Sequence, residues 1–333
     1  MPSGKAIHSP REFLKDTPMT SLSELIKKVS EAQPGDKIAL ADGIYDGEKC
    51  KLVAKGTADH PIVIRAKNIG KTVIQAPLSV EGDYISLVGL HFGEKGNIEI
   101  RGTGCRVSRC VMTDVRVGKW IRVLPESQQI EIDRCRFENK TNNREEMRGC
   151  QLMQIVVRNR GEKHHIHHNH FVDISRGKSS NGYETLQLIT EDNPYDPDPG
   201  ECGTLIEYNL FERCNGEAEI ISVKSNGNLL RRNTFRDCRG ALVLRHGDGN
   251  VVTENFFLGE NESDAGGVRL QGEDQVVVNN TFRSLRKFGV AMMDGTPDSL
   301  YVRTERALVA FNTFAGCSPA LVVGMNHSTH PNG

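Results

Sequence analysis

The chain has 333 residues, with 42 Lys and Arg against 43 Asp and Glu, so its formal net charge is −1. This balance disfavours a broad nucleic-acid-binding surface, and no apolar run is long enough to span a bilayer. The nine cysteines are an odd number without compact spacing, which argues against a disulfide framework. The N-terminus lacks the apolar core of a signal peptide.

The first predicted element is a short amphipathic helix. Ser21 and Glu24 have capping-box spacing, and Pro34-Gly35 ends the pattern. The apolar residues of the helix fall on one face, at Leu22, Leu25, Ile26 and Val29. We expect residues 1–35 to form an N-terminal segment whose helix covers the first edge of a sheet domain.

A short motif, Asn-x-Phe, recurs along the rest of the chain. Its copies begin at Asn169, Asn209, Asn233, Asn255, Asn280 and Asn312, with a degenerate copy at Cys135-Arg136-Phe137. Successive phenylalanines of the motif are 22 to 40 residues apart. This spacing predicts a solenoid in which the shortest intervals are single coils and the longer ones contain inserted loops.

Strand-sized segments rich in β-branched residues lie between the motifs, for example at 220–223 and 275–278. No helix-length periodic segment separates them. The sequence therefore predicts an all-β fold, a parallel β-helix that we expect to be right-handed, as one domain over residues 36–333. The Asn side chains would form an inner hydrogen-bonded ladder, the Phe rings would stack inside, and the Phe-x-x-Cys thiols would be buried.

Aligning the coils at their strand starts places polar residues of neighbouring coils on one face of one predicted sheet. The starts are aligned at Gly216, Gly240 and Gly266. In this register Glu217 would lie opposite Thr185, and Glu219 would lie level with Gln187 and Arg269.

Glu217 and Glu219 are two positions apart on one predicted strand, so their carboxylates repel each other unless a cation lies between them. Ca²⁺ suits such oxygen ligands, and Asn181 would add a carbonyl oxygen. From Lys224 to Arg245 the chain has six Lys or Arg and one acid, which predicts a cationic strip suited to an anionic sugar polymer. The alternative is a solvated outer face with incidental charges.

Five histidines lie between His164 and His170, a density that suggests zinc. On a strand, however, they alternate between the two faces. We therefore interpret them as part of a sheet face, with at most one substrate contact, rather than as converging zinc ligands.

Three segments resemble polysaccharide lyase family 6, which contains the alginate lyases and chondroitinase B. They are Asn181–Thr185, Gly216–Ser225 and Leu244–Gly247. The Glu-Ala-Glu-x5-Lys spacing followed by Arg-His-Gly is highly specific, and the likeness extends from the strand at Asp36 to about Phe314. The catalytic region of this family is often longer than this chain, which leaves room for later coils or a second domain outside the sequence.

The resemblance implies that Asn181, Glu217 and Glu219 bind Ca²⁺, that Lys224 is the general base and that Arg245 acts on the leaving oxygen. It also implies substrate contacts by His246, Arg269, Gln187, Tyr183 and Lys140. At Gln187 the family often has an arginine, so the preferred sugar stays open.

This residue set suits a β-elimination that begins at C5 of a uronate. A cation offsets the charge of the sugar carboxylate and of the enolate-like intermediate. Neighbouring positive charge favours the neutral amine of Lys224, which a base requires. Because a guanidinium scarcely deprotonates, we expect Arg245 to stabilise the departing O4 atom rather than to donate a proton.

The leading hypothesis is a Ca²⁺-dependent alginate lyase that acts on an acidic polysaccharide and needs no nucleic acid, membrane span or protein partner. The alternatives are a glycosaminoglycan lyase acting on dermatan sulfate, a non-catalytic polysaccharide-binding β-helix and a glycoside hydrolase on the same fold. A polymeric substrate predicts a secreted or periplasmic protein whose signal peptide has been removed.

Overall fold

The computed structural model describes residues 20–142, 149–179, 181–191, 200–296 and 301–325. Within these ranges the chain begins with a helix, α1 (Leu22–Ser30), and continues as strands. No helix of this part of the chain is long and apolar enough to cross a membrane.

The strands follow one another in coils of three. The first six coils contain β1 (Lys37–Leu40), β2 (Gly43–Asp46), β3 (Cys50–Lys55), β4 (Ile62–Ala66), β5 (Thr72–Gln75), β6 (Leu78–Asp83), β7 (Ile85–Val88), β8 (His91–Phe92), β9 (Ile98–Arg101), β10 (Arg106–Ser108), β11 (Val111–Thr113), β12 (Ile121–Val123), β13 (Glu131–Asp133), β14 (Arg136–Lys140), β15 (Met153–Val157), β16 (His165–His167), β17 (His170–Ile174) and β18 (Leu186–Thr190). The later coils contain β19 (Leu205–Glu207), β20 (Leu210–Cys214), β21 (Glu219–Lys224), β22 (Leu229–Arg231), β23 (Thr234–Arg236), β24 (Gly240–His246), β25 (Val251–Thr253), β26 (Phe256–Leu258), β27 (Ala265–Leu270), β28 (Gly272–Glu273), β29 (Val276–Val278), β30 (Thr281–Arg283), β31 (Phe288–Met293), β32 (Thr304–Glu305), β33 (Leu308–Ala310), β34 (Thr313–Ala315) and β35 (Leu321–Met325).

The coils stack into three parallel sheets of 11 strands each. The first sheet runs from β1 to β33, the second from β2 to β34 and the third from β3 to β35, while β28 and β32 form a separate pair. Residues that point inward from all three sheets share one continuous apolar core. The predicted right-handed parallel β-helix is therefore confirmed.

Helix α1 covers the N-terminal end of the core, as its sequence predicts. The Ser21 hydroxyl accepts a hydrogen bond from the backbone N–H of Glu24 at 3.2 Å and caps the helix. The residues that the helix buries are Leu22, Leu25 and Val29, whereas Ile26 is half-buried. The helix packs against β3, so it shields the start of the third sheet.

The Asn-x-Phe motifs form two inner ladders, as expected. Each ladder Asn from Asn169 to Asn280 donates its Nδ2–H to Oδ1 of the Asn in the next coil, at 3.0–3.1 Å. The Phe rings from Phe137 to Phe314 stack with centroids 4.7–4.9 Å apart. The ladders hold the coils in register because each buried amide is paired with the coil above and the coil below.

The cysteines are free thiols, and all but the half-buried Cys317 are buried. Burial raises the pKa of the Cys50 and Cys202 thiols to about 12. Such thiols behave as small apolar side chains. The interpretation as core is confirmed for the buried Phe-x-x-Cys thiols Cys214 and Cys238, whereas Cys317 in the last described coil is only half-buried.

Candidate active site

The candidate site lies on the outer face of the third sheet, at β18, β21, β24 and β27. Inward-pointing residues of β21, such as Ile221 and Val223, belong to the core. The intervening residues Ser222 and Lys224 point to the opposite face because side chains alternate along a strand. The same alternation places polar side chains of the four strands together.

The pairing of β21 differs from the register predicted for it. Gln187 pairs with Ser222 rather than with Glu219, and the backbone N–H of Thr185 donates to Ile220, so Thr185 does not lie opposite a glutamate. Gln187 thus pairs three residues further along β21 than predicted, in a pairing of β18 with β21 that is itself regular. Separately, Ile220 is an extra residue between two pairs of β21 and β24. A bulge shifts all residues that follow it relative to the neighbouring strand.

A second irregularity lies at the other end of the same two strands. Val223 pairs with Leu244 and Lys224 pairs with His246, which leaves Arg245 as the extra residue of β24. Bulges beside active sites commonly re-aim a side chain. Here the guanidinium of Arg245 turns back to the start of β21, where its Nη1 lies 3.3 Å from Oε1 of Glu219.

Three buried carboxylates meet at the start of β21. Glu184, Glu217 and Glu219 each offer an oxygen within 4.8 Å of the others, and all three residues are at most 5% exposed. A glycine permits this approach, because a Cβ on Gly216 would lie 2.1 Å from the carbonyl oxygen of Tyr183. Glu184 was not among the predicted ligands, although it stands within the Asn-Gly-Tyr-Glu-Thr segment that carries the family resemblance.

The charge states of the two glutamates of β21 are driven in opposite directions. Burial and the neighbouring charges of Glu184 and Glu219 raise the pKa of Glu217 to about 9. Burial also opposes ionisation of Glu219, but Arg269 and Arg245 outweigh it and lower the pKa of that carboxyl. Without a further positive charge, the cluster can therefore be fully ionised only at a high free-energy cost.

The cluster fits a hard cation. One oxygen of each carboxylate, namely Glu184 Oε2, Glu217 Oε1 and Glu219 Oε2, is buried without a hydrogen-bond partner in the described part of the chain. Buried polar atoms are normally paired, and three carboxylates are the oxygen donors that Ca²⁺ prefers. The predicted third ligand, Asn181, is exposed, and its role stays a prediction.

Positive side chains surround the carboxylates. Arg269 is buried and donates to Oε1 of Glu219, and the Nζ atom of Lys224 lies 4.0 Å from Oε1 of Glu184. Gln187 donates to the same Glu184 oxygen at 2.8 Å. The structure thus brings together Lys224, Arg245, Arg269 and Gln187 around the predicted carboxylate pair.

His246 follows Arg245 directly and pairs with Lys224 across the strands. Burial, together with the charges of Arg245 and Lys224, lowers the pKa of His246 to about 4. The imidazole is therefore neutral at pH 7 and can accept as well as donate a hydrogen bond.

Two predicted substrate contacts are buried. Tyr183 is 3% exposed, and Lys140 is 1% exposed and donates from Nζ to Oδ1 of Asn142 at 2.6 Å. Burial lowers the pKa of Lys140 to about 8. Contact of either side chain with a polymer stays a prediction.

The predicted cationic strip from Lys224 to Arg245 is wrong. One coil visits all three sheets, so its arginines face different sides of the solenoid. Arg231 on the first sheet pairs with Glu207 at 2.7 Å, and Arg236 on the second sheet pairs with Glu212. Only Lys224 and Arg245, at the two ends of the strip, lie at the site.

A second acidic group, Glu131, Asp133 and His167, lies on the first sheet. Its side chains are already paired. Arg106 donates to both oxygens of Asp133 at 2.7 and 2.8 Å, and His167 Nε2 lies 3.0 Å from Glu131. The histidine region is therefore an ion-paired sheet face, in agreement with the interpretation from the sequence.

Comparison with known proteins identifies the family of the chain. The family model described as chondroitinase B matches residues 19–330. The chain belongs to this family. No curated protein sequence matches the chain.

Several solved structures are similar to this family member. The alginate lyase AlyGC of polysaccharide lyase family 6 is 29% identical with a TM-score of 0.78, over 88% of this chain and 43% of that one. A mannuronic acid-specific family 6 lyase from human gut microbiota is also 29% identical, with a TM-score of 0.80 over 92% and 75% of the two chains. The family 6 lyase Pedsa3628 from Pseudopedobacter saltans is 25% identical, with a TM-score of 0.80 over 94% and 79%. The predicted resemblance to family 6 is confirmed, and the chain spans less than half the length of AlyGC.

Proposed function

We propose that this protein is a polysaccharide lyase that cleaves alginate by β-elimination with bound Ca²⁺. The observation that carries the proposal is the cluster of three buried carboxylates beside Lys224 and Arg245. Each carboxylate has an oxygen without a hydrogen-bond partner among the described residues. Alginate is favoured as the substrate because similar structures at 29% identity are named as alginate and mannuronate lyases.

The residues of the site divide the work of the elimination. Glu184, Glu217 and Glu219 would hold the cation, which supplies positive charge to the sugar carboxylate and to the enolate-like intermediate. Lys224 takes the C5 proton as the general base. The guanidinium of Arg245 stabilises the negative charge that develops on O4 as the C4–O4 bond breaks.

A glycosaminoglycan lyase is the second candidate. The family model that matches the chain is that of chondroitinase B, and the same base and cation serve that reaction. The two candidates differ in the sugar that the groove accepts. A direct comparison of substrates therefore decides between them.

The test is to incubate the purified protein with alginate or with dermatan sulfate, in calcium or in a chelator, and to follow the ultraviolet absorbance of the new C4–C5 double bond. We expect absorbance to rise on alginate and the rise to be lost in the chelator and in Lys224→Ala. Lys51→Ala is the matched control. Lys51 is an exposed lysine on the same sheet, but it pairs with Glu81 in coils that are distant from the site. No absorbance on either polymer would refute the lyase proposal, and absorbance on dermatan sulfate alone would select the second candidate.

We also propose that the protein acts outside the cytoplasm, since alginate is a polymer that cells meet externally. Fractionation of the source cells tests this. Recovery of the protein in the periplasm or medium supports the proposal, and recovery in the cytoplasm alone contradicts it.

A further inference from the structure

Tyr301 contacts Arg245 from a part of the chain two coils away. It lies in the connection between β31 and β32, whereas Arg245 is on β24. The Nη2 atom of Arg245 donates to the phenol oxygen at 2.7 Å, and the guanidinium carbon lies 4.9 Å from the ring centroid. The ring of His246 also stacks on the ring of Tyr301, with the two centroids 6.4 Å apart. Tyr301 therefore borders the site and is half-buried.

The backbone around Tyr301 is held in place by hydrogen bonds. The carbonyl oxygen of Tyr301 accepts from the N–H of Thr296 at 2.8 Å, and its own N–H donates to the Thr296 hydroxyl at 3.1 Å. Close by, the Thr304 hydroxyl accepts from Met293 at 3.0 Å and donates to Leu270 at 2.7 Å. The Thr304 bonds tie the start of β32, three residues after Tyr301, to the ends of β27 and β31.

The elimination needs a proton that Arg245 is poorly suited to give. The departing O4 atom must be protonated, but a guanidinium retains its protons in proteins. A phenol can accept a hydrogen bond from a guanidinium while donating its own O–H elsewhere. The positive charge of Arg245 also stabilises the phenolate that remains after the transfer.

We propose that Tyr301 is the proton donor to O4 of the leaving sugar and that Arg245 stabilises both the O4 atom and the phenolate. This assignment rests on the proposed lyase function. The amine of Lys224 removes the C5 proton, the C5–H electron pair forms the C4–C5 double bond, and the C4–O4 bond breaks. O4 takes the phenol proton, and the leaving sugar is released with a neutral hydroxyl at this oxygen.

The step leaves an ammonium on Lys224 and a phenolate on Tyr301. These two charges are equal and opposite, so exchange with water restores the amine and the phenol without a net gain or loss of protons. No oxidant or reductant is required. Arg245 keeps its protons throughout the cycle.

The experiment uses Tyr301→Phe, which keeps the ring but removes the hydroxyl. Tyr208→Phe is the matched control. The phenol oxygen of Tyr208 also accepts a hydrogen bond from an arginine, Arg232, whose guanidinium carbon lies 5.5 Å from the ring centroid. This pair lies at the first sheet, away from the site. Each variant is assayed on alginate and on a synthetic oligouronate with fluoride at C4. Fluoride leaves as an anion and needs no proton, so only the alginate reaction requires the donor.

We expect kcat of Tyr301→Phe on alginate to fall about 100-fold, the lower range for general acid catalysis, with loss of less than about threefold on the fluoride substrate. Tyr208→Phe should equal the wild type on both. Unchanged activity of Tyr301→Phe on alginate would overturn the assignment. Equal losses on both substrates would also overturn it and would mean that Tyr301 only positions Arg245. An inactive wild type would instead refute the lyase function itself, and the assignment with it.

Discussion

Replacing Glu217 with Gln is expected to stabilise the protein when calcium is removed. Because the pKa of Glu217 is raised to about 9, the folded protein keeps this carboxyl protonated at pH 7. The unfolded chain has the ordinary value of 4.5 and releases the proton, which favours unfolding by about 1.36 kcal/mol for each pH unit above that value. At pH 7 this difference lowers the unfolding free energy of the wild type by about 3 kcal/mol, and Gln avoids it.

The sign of the effect defines its pH range. A raised folded-state pKa costs nothing below the unfolded value, so the wild type and Glu217→Gln should be equally stable near pH 4.5. The gap should widen with pH until about pH 9. Saturating calcium should reverse the order, because a cation that binds only the folded state stabilises the protein that retains all three carboxylates.

The assay is urea unfolding followed by circular dichroism, in a chelator at pH 5 and pH 7 and again in calcium. Glu212→Gln is the control with the opposite sign. Burial opposes ionisation of Glu212, but Arg236, Arg213 and His170 lower its pKa to about 2. Its stabilising effect is present above the unfolded pKa and is lost only as the pH falls towards 2, so this variant should be less stable than the wild type at pH 7. Equal stabilities of the wild type and Glu217→Gln in the chelator at pH 7 would refute the reasoning.

Three further outcomes are expected. Lys224→Ala should reduce kcat on alginate by about 100-fold or more. The rise in Tm on addition of calcium should be unchanged in this variant, and its loss would mean that the substitution damages the cation site. Asn233→Ala should lower the unfolding free energy by about 1–3 kcal/mol, because it leaves buried partners at Asn209 and Ile206 unsatisfied; a smaller change in urea unfolding would show that the ladder is dispensable. Burial lowers the pKa of His164 to about 4, so the wild type should lose stability as the pH falls from 6.5 towards 4. His164→Gln should lack that part of the slope, and identical pH profiles would contradict the assignment.

The coil architecture could be predicted from the sequence because its determinants are local. Each Asn169-type ladder residue and each stacked Phe recurs at the same place in a coil, so spacing alone identifies them. The helix at Leu22–Ser30 could be predicted equally well, since the ten residues from its cap to its end contain both the capping side chain and the apolar face. These features depend on neighbours in sequence or on simple repetition.

The details of the site could not be predicted because they depend on departures from that repetition. Gln187 pairs with Ser222, three residues beyond Glu219, because the inserted residues before β21 make the offset between these two coils longer than the aligned strand starts suggest. The bulges at Ile220 and Arg245 are further departures that uniform spacing could not reveal. The count of cations along the chain did not predict a cationic strip correctly for a similar reason. Arg231 lies on the first sheet and Arg236 on the second, whereas Lys224 lies on the third. Tyr301 reaches Arg245 through a connection two coils further on, and no spacing rule predicts such a contact.

The two bulges of β21 and β24 have a consequence for how a protein of this kind can change in length. The ordinary coils are interchangeable building blocks, because any of them continues the Asn and Phe ladders. Duplication or deletion of such a coil would leave the core intact. A break between Glu219 and His246 would separate residues whose spacing is set by Ile220 and Arg245, and a copied coil would reproduce the scaffold without its chemistry. We therefore expect growth and loss of coils among related proteins to occur on either side of this pair of strands and not between them.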